Sequence, residues 1–375
     1  MTDGPKTFFN LDMHISIIAD IKDILVSQGH RVVNWSLSGH AWVMGAKQAP
    51  TDVINPNNWR DIDEAMCDAF YERYREELGV YDAFIVCYPP AFSMLFRRWN
   101  KPIIVVVATR YEWPFTGDAG RWRAFNSYLR KMIDAGMLTA IANNRHDARY
   151  AELFTERSWR VIPNLCEYTG MAYGGKRREL LYWSKYKEMA LPPNIVDKDK
   201  VFRVSRARRL LRLNRGPLVK YNWKELGDFR AIVHIPYNTS LMSIFEQYTA
   251  NIPLLFPSRT YMKELYAGHF RQGVLSEISF ASIAKLPAMS AIGAPSPDPN
   301  AYTDVDGIME WVELADFYDE DNMPYVTYFD SAEHLADLTA SVDFNAISRK
   351  MGVYNVSRRA RVHAAWSRVV DELQF

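Results

Sequence analysis

Short uninterrupted apolar runs recur along this chain, and between them apolar residues return every three or four positions. The first pattern is that of buried strands, the second that of amphipathic helices. Thr7–Leu11 reads as a strand, His14–Gln28 as a helix stopped by Gly29, and Arg31–Leu37 as the next strand. Asn58–Leu78 keeps helical spacing up to Gly79, and Phe84–Cys87 is a strand closed by Pro89 and Pro90. Pro102–Ala108 is apolar without alternation, which predicts a central strand covered on both faces. A helix over Arg121–Asp134 and strands over Leu138–Ala142 and Arg160–Pro163 complete this half. Such alternation predicts a parallel sheet covered by helices.

The pattern then restarts. Tyr168–Tyr173 is strand-like and Arg177–Glu188 helical; Lys200–Val204 and Pro217–Tyr221 read as strands. Tyr325–Phe329 leads into a helix capped by Ser331, and Val356–Leu373 is a terminal helix. Gly293–Asn300 is a loop, and no internal repeat or low-complexity tract is present.

The stretch Ala231–Ser258 is the most informative. Ala231–Ile235 and Pro253–Pro257 are short buried strands, and Asn238, Thr239 and Ser240 are N-cap residue types ahead of a helix over Leu241–Thr249. A helix opening at the carboxyl end of a parallel strand offers N–H groups and a positive dipole end to a phosphate. Glu246 follows Asn238 by eight residues, along the flank of that helix.

This arrangement resembles the donor site of GT-B glycosyltransferases, above all the retaining family 4 type. The Glu-x7-Glu motif of that family has Asn238 and Glu246 as its counterparts here, followed by Asn251-Ile252-Pro253 where Gly-x-Pro is usual. Arg160-Val-Ile-Pro-Asn164 resembles the family's segment at the domain junction, with Leu165 in place of Gly. The order of elements is also similar to that of family 4-like enzymes encoded by chlorella viruses. The resemblance implies an α/β chain of two Rossmann-like domains facing each other across a cleft: an acceptor-binding domain over residues 1–166, a nucleotide-sugar-binding domain over 167–354, and a C-terminal helix over 355–375 that crosses back. It implies transfer of a hexose from a nucleotide-diphosphate sugar, GDP-mannose ranked before UDP-hexoses, with retention and without a metal. Glu246 would hold the ribose, and Asn238 would orient the sugar.

In the same reading Gly174, Gly175, Lys176, Arg177 and Arg178 are the first strand-to-helix turn of the second domain, set against the donor diphosphate beside Thr239 and Ser240. Gly170–Lys176 also fits the Gly-x4-Gly-Lys frame of a P-loop, but Arg177 stands where a magnesium-binding Ser or Thr belongs. From the basic run Arg203–Arg215, more often a solvated helix face, Arg206 is the residue placed to reach a strand-end site. The acceptor would meet His14, Arg110, Glu112 and Trp113 on loops after strands of the first half, with Glu112 the carboxylate available as a base.

Composition narrows the alternatives. Over 375 residues, 45 basic against 44 acidic side chains give no global attraction to nucleic acid or anionic membranes. Cys67, Cys87 and Cys166 lack zinc-site or redox-motif spacing, and Asp-x-Asp occurs four times in polar segments without following a buried strand. The N-terminus lacks the basic-then-apolar pattern of a signal peptide, and no stretch nears the roughly 20 apolar residues of a membrane span. The expectation is a soluble, cytoplasmic enzyme with no cofactor, a nucleotide-sugar donor and a glycan or glycoprotein acceptor as partners, no nucleic acid, and a homodimer left open. A nucleotide-sugar epimerase of the same fold and a non-catalytic sugar-nucleotide-binding protein stay open as alternatives.

Overall fold

A computed structural model of the chain describes residues 4–39, 48–50, 52–109, 111–115, 118–184, 223–270, 273–278 and 297–374, with residues 47, 201–204, 209–212 and 215–220 described by backbone alone. The chain divides into two compact units, residues 1–168 with 360–375, and residues 169–359.

In the first unit the strands are β1 (Thr7–Asp12), β2 (Arg31–Ser36), β3 (Lys47–Gln48), β4 (Ala83–Val86), β5 (Ile103–Val107), β6 (Leu138–Ala142) and β7 (Arg160–Val161). They pair in parallel in the order β3-β2-β1-β4-β5-β6-β7. All five residues of β5 are buried, as its unbroken apolar run requires of a strand covered on both faces. The helices are α1 (Ile15–Ser27), α2 (Glu64–Leu78), α3 (Ser93–Phe96), α4 (Ala119–Asp134) and α5 (Arg145–Thr155). On α2, Cys67, Phe70, Tyr74 and Leu78 recur at helical spacing and are buried, and Asp63 caps the helix by accepting from the Met66 N–H. The expected helix from Asn58 is therefore split, with a 3-10 turn over Trp59–Asp61 ahead of the Asp63 cap.

The second unit holds β8 (Leu180–Trp183), β9 (Val201–Val204), β10 (Arg209–Arg212), β11 (Arg215–Lys220), β12 (Ile232–His234), β13 (Leu254–Pro257) and β14 (Thr327–Phe329). Their order is β11-β10-β9-β8-β12-β13-β14; β9 through β14 are parallel across β8, and β10 and β11 add an antiparallel edge. The helices are α6 (Trp223–Gly227), α7 (Met242–Thr249), α8 (Arg259–His269), α9 (Val305–Val312), α10 (Ala332–Ser341) and α11 (Phe344–Glu372). Ser331 caps α10, accepting from the His334 N–H.

Four sequence expectations are corrected. Tyr168–Tyr173 is not a strand but a 3-10 turn over Glu167–Thr169 followed by irregular chain. Leu180–Trp183 is a strand rather than the start of a helix, because both neighbours β9 and β12 pair with it and bury its short apolar run. Arg209–Arg212 is a strand, not a helix face. The terminal helix starts at Phe344, twelve residues before the expected Val356. Its residues from Ala360 group with the first unit, where the Gln28 side chain donates to the His363 carbonyl and Arg160 pairs with Glu372.

The chain is thus α/β with two Rossmann-like units, the first a parallel sheet and the second a parallel sheet with an antiparallel edge, each with helices. Among the described residues, no helix is long and apolar enough to cross a membrane.

Candidate functional site

In doubly wound sheets, ligands bind outside the carboxyl ends of the strands, where the strand order reverses. In the first sheet that point lies between β1 and β4. The chain leaving β1 there is Asp12-Met13-His14, tied to the end of β4 by the Met13 N–H donating to the Tyr88 carbonyl at 2.8 Å. Asp12 is fully buried. Its carboxyl accepts from Ser36 Oγ and Asn34 Nδ2, each at 3.4 Å, and from the backbone N–H of His14. Burial outweighs these bonds and pushes the Asp12 carboxyl up to about 8, so it holds its proton at neutral pH. Below it, Asn34 donates to Asn10, which donates to the Ile85 carbonyl at 2.8 Å.

His14 occupies the N-cap position of α1 and is half-buried. Its ring meets Tyr88 edge-on at 6.3 Å, and its Nδ1 is enclosed without a hydrogen-bond partner. Burial holds the imidazole below its ordinary value, so it is neutral near pH 7. Cys87, on the other side of the switch point, is buried, and burial together with the Asp12 carboxyl pushes its thiol well up.

The remaining first-unit residues divide. Glu112 is fully buried and accepts from the Tyr150 hydroxyl, inside an aromatic core that includes Tyr111, Trp122 and Phe154. It is a core carboxyl, not the acceptor-facing base expected from its loop position. Trp113 is half-buried and lies 6.0 Å from the Trp59 ring, with the Arg60 guanidinium over both indoles at 5.3 and 4.5 Å. Arg110 lies outside the described residues.

In the second sheet the order reverses between β8 and β12. Ser184 ends β8, buried, and β12 runs into the turn Ile235–Leu241. That turn is fastened by the Ile235 N–H to the Trp183 carbonyl at 3.2 Å and by the N–H groups of Leu275 and Glu277 to the carbonyls of Pro236 and Tyr237, each at 2.9 Å. Asn238 and Thr239 are buried within it, and Asn238 Oδ1 accepts from the Thr239 N–H at 2.7 Å. The amide oxygen is committed to the turn. The N-cap of α7 is Leu241, with no side-chain cap bond, so Asn238, Thr239 and Ser240 precede the helix instead of capping it. The local turn bonds compete with capping, and here they win. Glu246 is half-buried on the second turn of α7, about 6 Å along the axis from Met242 at ~1.5 Å per residue.

The helix is anchored from beneath. His234 Nε2 donates to Gln247 Oε1 at 2.6 Å, both side chains fully buried, and the imidazole stacks on Phe256 at 4.8 Å. Burial lowers the His234 pKa to about 4, the Gln247 bond only partly opposing it. A neutral, doubly held imidazole fixes α7 against β12 and with it the position of Glu246.

Lys176, Arg177 and Arg178 are elsewhere. They precede β8, and the bond from the Arg230 N–H to the Glu179 carbonyl at 3.1 Å marks this as the amino end of the parallel strands. The run from Arg178 through β8 to Ser184, at ~3.3 Å per residue where extended, puts them roughly 20 Å from the carboxyl end of the sheet. The strand β8 follows Lys176 where a P-loop needs the start of a helix, so the P-loop frame is not a P-loop. The N–H groups of Gly174 and Gly175 donate to the Gly227 carbonyl at 2.8 and 3.1 Å, Lys176 pairs with Asp228 at 3.3 Å, and Arg177 lies over the Phe229 ring at 4.8 Å. Arg206 lies outside the described residues. Of the predicted donor residues, the structure brings together Asn238, Thr239, Ser240 and Glu246, and it separates the glycine-basic segment from them. Among the described residues, no three His, Cys, Asp or Glu side chains are grouped to hold a metal ion.

No family model and no curated protein matches the sequence. Among solved structures, the chain is similar to the glycotransferase of kitacinnamycin, over 99% of this chain and 100% of that one, at 13% identity and a TM-score of 0.46. It is similar to the glycosyltransferase SnogD from Streptomyces nogalater, over 91% and 100%, at 12% identity and a TM-score of 0.43. It is also similar to HepE from Anabaena in complex with UDP-glucose, over 94% and 100%, at 11% identity and a TM-score of 0.42. Likeness at this level assigns no activity to the chain.

Proposed function

We propose that this protein is a GT-B glycosyltransferase that moves a hexose from a nucleotide-diphosphate sugar to a hydroxyl of a glycan or glycoconjugate. The observation that carries the reading is the β12–turn–α7 unit. A turn held by three cross-chain hydrogen bonds lies at the switch point of a doubly wound sheet and opens on a helix whose second turn bears Glu246. The leaving diphosphate meets the amino end of α7 beside Thr239 and Ser240, a dipole fixed before the reaction starts. Glu246 accepts from the ribose hydroxyls, and the Asn238 NH2 orients the sugar. Lys176, Arg177 and Arg178 take no part, since they lie at the other end of the sheet. The acceptor is held by the first unit, with His14 at the β1–β4 switch point and the half-buried Trp113 in the chain after β5. GDP-mannose is the first donor to test and UDP-hexoses the next.

Retention and metal independence belong to the proposal through the family 4 resemblance, and a cytoplasmic site through the unpaired spacing of the three cysteines. One observation favours a second stereochemical reading. His14 is neutral at pH 7, which leaves its imidazole a lone pair to take the proton of an acceptor hydroxyl attacking from the opposite face, an inverting displacement. Proton NMR of the first-formed product separates the two. An unchanged anomeric configuration supports retention, an inverted one assigns His14 as base, and no donor turnover with any acceptor removes the transferase reading.

A further inference from the structure

At the amino end of the second sheet, far from the turn that holds Asn238, lies a cavity of about 610 Å³. That is within the ~300–1,000 Å³ typical of small-molecule sites. Its described lining residues include three arginines, Arg177, Arg178 and Arg230, and one acid, Asp343. Each is differently held. Arg230 is pinned, donating to the carbonyls of Thr339 at 2.8 Å and Val342 at 3.4 Å and lying over the Phe344 ring at 4.9 Å. Two of its five N–H donors are thereby used and the rest remain. Arg177 is oriented by the Phe229 ring, and Arg178 is exposed. The Asp343 carboxylate accepts from the Ala346 N–H at 3.0 Å as the cap of α11, and it lies 3.9 Å from Arg349. It is thus partly neutralised by the helix it caps.

The wall is built to tight tolerance. Tyr173 Oη lies 3.1 Å from both the Arg230 carbonyl and Asn345 Oδ1. Gly175 takes φ +54°, and a Cβ there would sit 2.6 Å from the same Tyr173 oxygen and 3.1 Å from Asn345 Oδ1. Only glycine lets the Gly-Gly-Lys-Arg-Arg segment pass this close while turning its arginines toward the cavity.

We propose that this cavity is a second anion site, taking a phosphate-bearing small molecule and separate from the donor site. The guanidinium fork matches phosphate oxygens in pairs, and a lining richer in arginine than in acid suits an anion. The segment that the sequence offered as a donor clamp therefore binds phosphate of its own, at the opposite end of the strands.

Inorganic pyrophosphate is the probe. Titration calorimetry on the full chain at 0.1 M salt is compared among wild type, Arg177→Gln/Arg178→Gln and Lys176→Gln. The arginine double variant weakens pyrophosphate binding about tenfold or more, as expected for losing two charge-assisted partners. Lys176→Gln stays within about twofold, since it removes a charge of the same sign that Asp228 already neutralises outside the cavity. Melting curves that match wild type establish that the double variant is folded; should it melt early, Arg178→Gln alone carries the test. Absence of wild-type binding at millimolar pyrophosphate, or equal weakening in Lys176→Gln, overturns the proposal. Sedimentation with phosphatidylinositol-phosphate vesicles distinguishes the phosphate's source. Pelleting that the double variant abolishes assigns a lipid headgroup to the same site, and no pelleting assigns a soluble phosphate.

Discussion

Replacing Asp12 by Asn tests the electrostatics of the first switch point. The carboxyl ordinarily ionises at 3.8, and burial raises it to about 8 in the fold. Between those values the folded protein keeps a proton that the unfolded chain releases. Stability therefore falls as pH rises through this window, by about 1.36 kcal/mol per pH unit. From pH 3.8 to pH 7 that amounts to about 4 kcal/mol, and at pH 8 and above to about 6 kcal/mol. Asn copies the shape of the protonated acid, keeps an oxygen for the His14 N–H and the Ser36 hydroxyl, and never ionises. Asp12→Asn is thus expected to match wild type near pH 4 and to gain on it steadily above. At ~2–4 °C per kcal/mol for a unit of this size, the melting temperature of the variant exceeds that of wild type by roughly 12–24 °C at pH 8. Thermal melts followed by circular dichroism at pH 4, 6 and 8 read this directly. Parallel curves for the two proteins across pH, or a variant less stable at pH 8, would refute the assignment of a buried neutral acid.

Three further outcomes are expected. His234, held down to about 4, charges in the unfolded chain below pH 6.5 while the fold resists. Stability is thus lost as pH falls from 6.5 toward 4, by up to about 3 kcal/mol, and His234→Phe, read by urea melts at pH 4.5 and 7, flattens that dependence. Gln247→Ala leaves the buried His234 Nε2–H without an acceptor and costs about 1–3 kcal/mol in chemical denaturation at pH 7. Glu112→Gln keeps the Tyr150 hydroxyl partnered, so transferase turnover stays within about twofold; a loss as deep as that of Glu246→Ala would restore Glu112 to the acceptor site.

The elements that were legible in the sequence are those whose burial is simplest. Ile103–Val107 is apolar on both faces and reads as a central strand, and the pair of short runs around Met242–Thr249 is bounded by turn residues on both sides. Leu180–Trp183 is as apolar, but it follows a glycine-basic segment and borders polar residues, so its four residues blend into a helical pattern. Only pairing with β9 and β12, which no local pattern reports, makes it a strand. The helix Arg145–Thr155 was not expected. Its buried face includes His146 and Asp147, and Asp147 accepts from the Asn144 side chain at 2.8 Å, so the core side of the helix reads as polar. At the sites, Glu246 stands out by spacing. Asp12 does not, since an aspartate after an apolar run looks the same whether it faces water or is sealed beneath Ser36 and Asn34. The position of Lys176–Arg178 follows from β8: read as a helix start, the segment falls at the carboxyl end of a strand, and read as a strand approach it falls at the amino end.

The account turns on which residues of the second unit grip a nucleotide sugar. Titration calorimetry with GDP-mannose and then UDP-hexoses, on wild type, Glu246→Ala and Arg177→Gln/Arg178→Gln, measures that grip directly. The account predicts that wild type binds one donor of the panel, that Glu246→Ala weakens it about tenfold or more, and that the arginine variant stays within about twofold. Binding of none, or affinity carried by the arginine pair and not by Glu246, would contradict it.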